Sequence, residues 1–326
     1  MRPTIQKGFL VYEAPPESLV IACPHAGPTF KGVVNRDEFT ETVGGFLWKK
    51  TGGKLVVSTL PRSRSWGIDY NRGIPPKDVA TKMHKVLVED SRKDDESHET
   101  PEIAEFMKKY GWTALNDSDY DQRLKCYQAF WGCVEQGKTI ILIHRQASRF
   151  KNIPSMMDVT SFGSVKHSVM MKAVKKVNKK FANFLEMTQA DYRRMIALET
   201  KRKLLQMMKV YGSVDPRKVG VYHTAYLKDL SMMKKYADNV ALNRLKNTWN
   251  EHNVFHAFEN ALQHIPTPKV THEEVFKGEL SHGPLRKLFP KNERKVLQVE
   301  CSSFILYWHP IIAARMIEEL YKNVRD

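Results

Sequence analysis

The sequence predicts an α/β fold with a mostly parallel central sheet flanked by helices. Three observations carry this: four short apolar runs bounded by polar or turn residues, amphipathic stretches between and after them, and a length of 326 residues, enough for one large domain or two ordinary ones. The runs are SLVIAC (18–23), KLVVSTL (54–60), KTIILIH (138–144) and KVLQVEC (295–301). Unbroken apolarity of this length marks strands covered on both faces. Between the first two runs, RDEFTETVGGFLWKK (36–50) reads as a helix. Within 117–136, Tyr120, Leu124, Tyr127, Phe130 and Trp131 recur at helical spacing. HPIIAARMIEELYKNV (309–324) is amphipathic, with Pro310 in its first turn. Strands alternating with helices imply parallel pairing.

Residues 165–262 read differently. They are rich in Lys, Met and Leu, carry no strand-like run, and contain two amphipathic stretches ahead of a break at Gly212–Pro216. We expect a helical insertion or cap on an α/β domain formed by residues 1–164 and 263–326. The methionine stripes read as core. The segment 85–100 ends in a charge-dense stretch, expected to be a solvated loop.

A hydrophobic content of 42% suffices for a sizeable core. No run approaches 18 apolar residues, which argues against a membrane span. The first residues lack the apolar stretch of a secretory signal. Cys23, Cys126, Cys133 and Cys301 form no CxxC pair, as expected for free thiols in a reducing, cytoplasmic setting. Lys and Arg total 52 against 36 Asp and Glu, a net +16. That excess permits nucleic-acid or anionic-ligand binding, although no nucleic-acid motif accompanies it.

Four polar groupings lie at or within the ends of the predicted strands, where an open α/β sheet places its ligands. Pro24-His25-Ala26-Gly27 follows the first strand and presents an imidazole on a turn. After the second come Arg62-Ser63-Arg64 and Asp69-Tyr70-Asn71-Arg72, a cationic cradle whose guanidinium forks suit carboxylates. Asp69 can hold one of those guanidiniums. His144-Arg145-Gln146 ends the third strand, so its imidazole aims at the same crevice as His25. In the last strand, alternation puts Gln298 and Glu300 on one face, and a carboxylate among apolar neighbours needs a partner or a task. A desolvated Glu near an activated water is a suitable general base.

In this order the elements resemble those of the N-formylglutamate amidohydrolase family: Pro24-His25-Ala26-Gly27, Asp69-Tyr70-Asn71-Arg72, His144, His282-Gly283 and Gln298-Val299-Glu300. The wider group is similar to zinc carboxypeptidases and aspartoacylases, which implies a phosphorylase/hydrolase-like fold and Zn2+ as cofactor. Arg64 stands seven residues before Asn71, as in aspartoacylase-like enzymes. The resemblance implies that Glu300 is the general base and Arg64 polarises the scissile carbonyl. It also implies that Asn71 and Arg72 bind a substrate carboxylate. Arg145 and Gln298 complete the expected substrate-binding set. His25 and His144 are the expected metal ligands with one carboxylate from the following helix. Glu38 and Glu41 are the candidates, and Glu41 enters the expected set. The sequence departs from the carboxypeptidase pattern at Pro28, where the amidohydrolases lack the Glu too, and from the amidohydrolases at Ile143 and Arg145. The expected activity is hydrolysis of an amide bond in a small acidic substrate. The alternative is a non-catalytic anion- or nucleic-acid-binding protein on the same fold, motivated by Lys172, Lys175, Lys176, Lys179 and Lys180.

Overall fold

The computed structural model describes residues 3–16, 18–28, 36–62, 65–92, 101–146, 154–219, 224–276 and 294–325. All four apolar runs form strands, β3 (Leu19–Cys23), β4 (Gly53–Ser58), β5 (Thr139–Arg145) and β8 (Lys295–Cys301). Four further strands are β1 (Thr4–Gln6), β2 (Phe9–Ala14), β6 (Ser155–Thr160) and β7 (Lys269–His272). Together they make a mixed eight-stranded sheet in the order β1-β2-β4-β3-β5-β8-β6-β7. The central strands β4, β3, β5 and β8 run parallel. β1 and β2 add an antiparallel hairpin at one side, and β6 turns antiparallel against β8 before pairing in parallel with β7.

Helices cover both faces. Between β3 and β4 lies α1 (Thr40–Thr51); α2 (Lys77–Arg92), α3 (Pro101–Lys109) and α4 (Asp117–Val134) lie between β4 and β5. Residues 85–92, expected to lead into a solvated loop, instead complete α2; residues 93–100 lie outside the described set. From β6 to β7 the described chain is helical: α5 (His167–Lys180), α6 (Ala182–Met187), α7 (Gln189–Tyr211), α8 (Pro216–Val219), α9 (Thr224–Tyr236), α10 (Asn239–Asn247) and α11 (Glu251–His264). Gly212, in the left-handed conformation at φ 59°, stops α7 by donating its N–H to the Met208 carbonyl. The chain ends with α12 (Ser303–Trp308) and α13 (Pro310–Arg325). α5 packs on β7 and α13, so the start of this helical stretch belongs to the layer covering the sheet.

Strand alternation divides the core. Ile141, Ile143, Leu297, Val299 and Cys301 face α1, α13 and the helical stretch. Ile140, Leu142, Val296, Val20 and Val56 face α4, where Tyr70 stacks on Phe130 at 4.0 Å and Trp112 is fully buried. Each such side chain contributes roughly 1.5–3 kcal/mol on burial. The same alternation puts His144, Gln298 and Glu300 on the α4 face and Arg145 on the other. At the β7 edge, the Asn178 side chain donates to the Val270 carbonyl and accepts from the Val270 N–H. Among the described residues no helix is long and apolar enough to cross a membrane, and the four cysteines are free.

Candidate metal centre

The centre begins at the carboxyl ends of β3 and β5. The turn after β3 is pressed against the segment after β4: a Cβ on Gly27 would sit 1.8 Å from the Leu60 carbonyl oxygen, so glycine there lets the two loops close. His25, two residues before, is 1% exposed, and its ring lies 4.8 Å from that of His144. This separation is far inside the distance, on the order of 13 Å, at which a shared site would fail.

The carboxylate that joins them is Asp37. Its Oδ2 lies 3.1 Å from Nδ1 of His25 and 2.9 Å from Nδ1 of His144. The ligand atoms of His25, Asp37 and His144 all fall within 4.8 Å of one another, and all three residues are buried. Glu41, the carboxylate expected here, is elsewhere: it pairs with Arg36 at the start of α1. Glu38 bonds to Tyr307 and lies 3.3 Å from Arg145. Asp37 is selected by backbone geometry. Its N–H donates to the His25 carbonyl, its own carbonyl accepts from Thr40, and Phe39 enters α1 in the left-handed region at φ 65°. That strained residue, of order 1–3 kcal/mol, turns Asp37 inward while Glu38 and Glu41 point away. Burial pushes the Asp37 carboxyl up, but hydrogen bonds from His144 and His25 outweigh it and hold it well below the usual carboxylate range.

Further contacts orient the imidazoles. Asp69 Oδ1 accepts from Nε2 of His25 at 2.9 Å. With Nε2–H held by Asp69, loss of the Nδ1 proton shared with Asp37 would leave the Nδ1 lone pair facing inward, the tautomer a metal ligand needs. Asn71 holds its amide 3.3 Å from Nε2 of His144, and its Oδ1 is buried without a hydrogen-bond partner. Turning the amide over sets that oxygen against an Nε2–H and leaves the Nδ1 of His144 facing Asp37. Two imidazole nitrogens and a carboxylate oxygen, each with a lone pair directed at the same point, repel unless a proton or cation lies between them. The donor set therefore fits a metal ion.

Arg62 donates to Asp69 Oδ2 at 3.2 Å and lies 3.8 Å from Asp37 Oδ1. Burial opposes its charge, yet Asp69 and Asp37 outweigh that and raise its pKa above the ordinary value. Arg72 stands behind it, 3.9 Å from Asp69 Oδ2. Asp69 thus organises both guanidiniums, and Asn71 is turned toward His144. Glu300 lies beside His144 in the β5–β8 register. Gln298 donates to it at 2.6 Å, while the Gln298 Oε1 is buried without a partner. Among the described residues no cation is paired with Glu300. Burial, reinforced by Asp37 and countered by His144 and Gln298, raises its pKa to about 7.

Of the expected site residues, His25, His144, Glu300, Gln298, Asn71 and Arg72 come together, while Arg145 is held on the opposite face by Glu38 and the Tyr307 hydroxyl at 2.8 Å. Arg64 and His282-Gly283 lie outside the described residues. Asp37, absent from the sequence-based set, carries only one signal: an acid at the start of the stretch predicted to be helical. Compared with protein-family models, curated proteins and solved structures, the chain matches none.

Proposed function

We propose that the chain is a metal-dependent hydrolase of an amide bond in a small carboxylate-bearing substrate, N-formylglutamate amidohydrolase-like, on a phosphorylase/hydrolase-like fold. The observation that carries this is the buried His25–Asp37–His144 cluster with Glu300 on the neighbouring strand. Two imidazoles and one carboxylate suit zinc, which at such a site acts as a Lewis acid and lowers the pKa of water.

The chain's own groups supply the rest. Asp37 joins the two histidine rings from inside, while Asp69 holds His25 and Asn71 holds His144 from outside. Glu300, with a pKa of about 7, is poised to take a proton near neutrality and return it to the leaving amine. Arg62 is the described cation nearest the cluster, with Arg72 next to it, and together they form a cradle for a carboxylate or developing oxyanion. Arg64 keeps the carbonyl-polarising role that the family resemblance gives it. Arg145, held on the opposite face by Glu38 and Tyr307, is left out of this cradle.

The test is metal content followed by turnover. Protein loaded with zinc and then dialysed should retain about one ion per chain, while His25→Ala and Asp37→Ala should retain none. The loaded wild type should hydrolyse members of a panel of N-formyl and N-acyl amino acids. Wild-type protein without stoichiometric metal after zinc loading would overturn the proposal.

A further inference from the structure

A second polar region lies at the other end of the sheet. Lys138 immediately precedes β5 and Lys295 opens β8, whereas His144 and Glu300 lie near the far ends of the same strands. At about 3.3 Å per residue the two regions are on the order of 20 Å apart. Lys138, Lys166, Arg294, Lys295 and Arg325 line a groove of about 630 Å³ with no carboxylate among its described lining residues. Lys295 is spent on the last carbonyls of α13, donating to Val324 and Arg325. The other four cations have no acidic partner among the described residues.

A second groove, of about 680 Å³, adjoins the first at the start of α5: Lys166 lines one and His167 the other. Its cations are Lys172, Lys175 and Lys269, against a single acid, Glu274. Its floor is apolar, from Met171, Val174 and Val270, and His167 and His272 set their rings 5.1 Å apart beside it. Elsewhere on α5, Lys180 pairs with Glu319 and Lys176 donates to Asn323, while Lys179 has no ion pair among the described residues. Lys172 and Lys175 of α5 therefore face the groove without an ion pair among the described residues.

We infer that these two grooves bind a single strand of nucleic acid. A strand presents what the walls are built to take: a phosphate chain for the lysines and arginines of both grooves, and flat, weakly polar bases for the rings and apolar floor of the second. An anionic membrane would meet a convex or flat cationic face with apolar anchors, not paired concavities. The site is separate from the hydrolytic centre and does not depend on its chemistry.

The test is binding of a fluorescein-labelled 20-nucleotide single-stranded RNA to the full chain, by fluorescence anisotropy from 50 to 200 mM KCl. Phosphate contacts from Lys138, Lys166, Lys175 and Lys269 alone give a slope of about −2.8 in log K against log salt, hence about 50-fold weaker binding across that range. Lys138→Glu/Lys166→Glu and Lys175→Glu/Lys269→Glu should each reduce the slope by about 1.4. The control Lys108→Glu/Lys125→Glu, on α3 and α4, makes the same change in net charge and should leave the slope unaltered. Circular dichroism of each variant establishes that it is folded. An equal loss in the control would show only general charge attraction and overturn the inference. So would absence of binding at 50 mM KCl. Retention on phosphatidylserine vesicles, with no RNA binding, would overturn it in favour of a lipid surface.

Discussion

Replacing Glu300 by Gln separates a base from a structural ion pair. The carboxyl sits in a strand of apolar residues, accepts one hydrogen bond from Gln298, and has no paired cation among the described residues. Its pKa rises from 4.5 to about 7, chiefly through burial. A carboxyl raised in the folded state leaves stability intact below its unfolded pKa and erodes it as pH climbs through the folded one. At about 1.4 kcal/mol per unit, the shift amounts to roughly 3 kcal/mol above pH 7, and partial solvent access at the strand end trims this to about 2 kcal/mol. Gln keeps the shape, accepts the same bond from Gln298 and carries no charge. In EDTA-treated protein, wild type and Glu300→Gln should be similarly stable near pH 4.5. The variant should then gain about 2 kcal/mol over wild type by pH 8. Urea denaturation at steps between those values measures it. In zinc-loaded protein the same substitution should lower turnover of N-formyl amino acids by about 100-fold or more. A variant less stable than wild type at pH 8 by roughly 3 kcal/mol would reveal a buried ion pair and refute the reasoning. Full turnover would exclude Glu300 as the base.

Two further outcomes follow from the geometry. Asp69→Asn removes the carboxylate that accepts from His25 Nε2 and should weaken zinc affinity about 10- to 100-fold, read by competition with a chromophoric chelator, without unfolding the chain. Unchanged affinity would mean that Asp69 does not act on the metal centre through His25. Gly27→Ala puts a methyl against the Leu60 carbonyl and should cost about 1–3 kcal/mol by thermal melting, with reduced metal retention because His25 rides on the same turn. An unaltered melting temperature would show that the two loops are not held in contact.

The central strands were legible because they are buried on both faces, which leaves continuous apolar runs at β3, β5 and β8. β1, β2, β6 and β7 were not. β6 reads SMMDVT, its buried Asp158 being satisfied only in three dimensions by Thr271 and the N–H groups of Glu274, Val275 and Phe276. β7 is four residues long, and the β1–β2 hairpin lies at the margin, with one strand wholly exposed. At the centre, the histidines and Glu300 were legible as polar residues at strand ends. Asp37 was not, because it is chosen over Glu38 and Glu41 by the left-handed Phe39 and a backbone bond to His25, neither of which has a one-dimensional signature. Arg145 misled for a related reason: adjacency to His144 in sequence is opposition across the sheet.

The Asn178 amide that grips both backbone groups of Val270 bears on how the molecule behaves in a crowd. A sheet margin with unsatisfied N–H and C=O groups is a template on which another chain can add a strand. On the β7 side that template is occupied at Val270 by a side chain from the same molecule, and Lys269 next to it adds a charge that a stacking neighbour would have to bury. Fibrillar growth from this side therefore requires α5 to lift away first, so resistance to it is tied to the docking of that helix. The opposite margin, β1, has no such device on its three exposed residues and relies on being short.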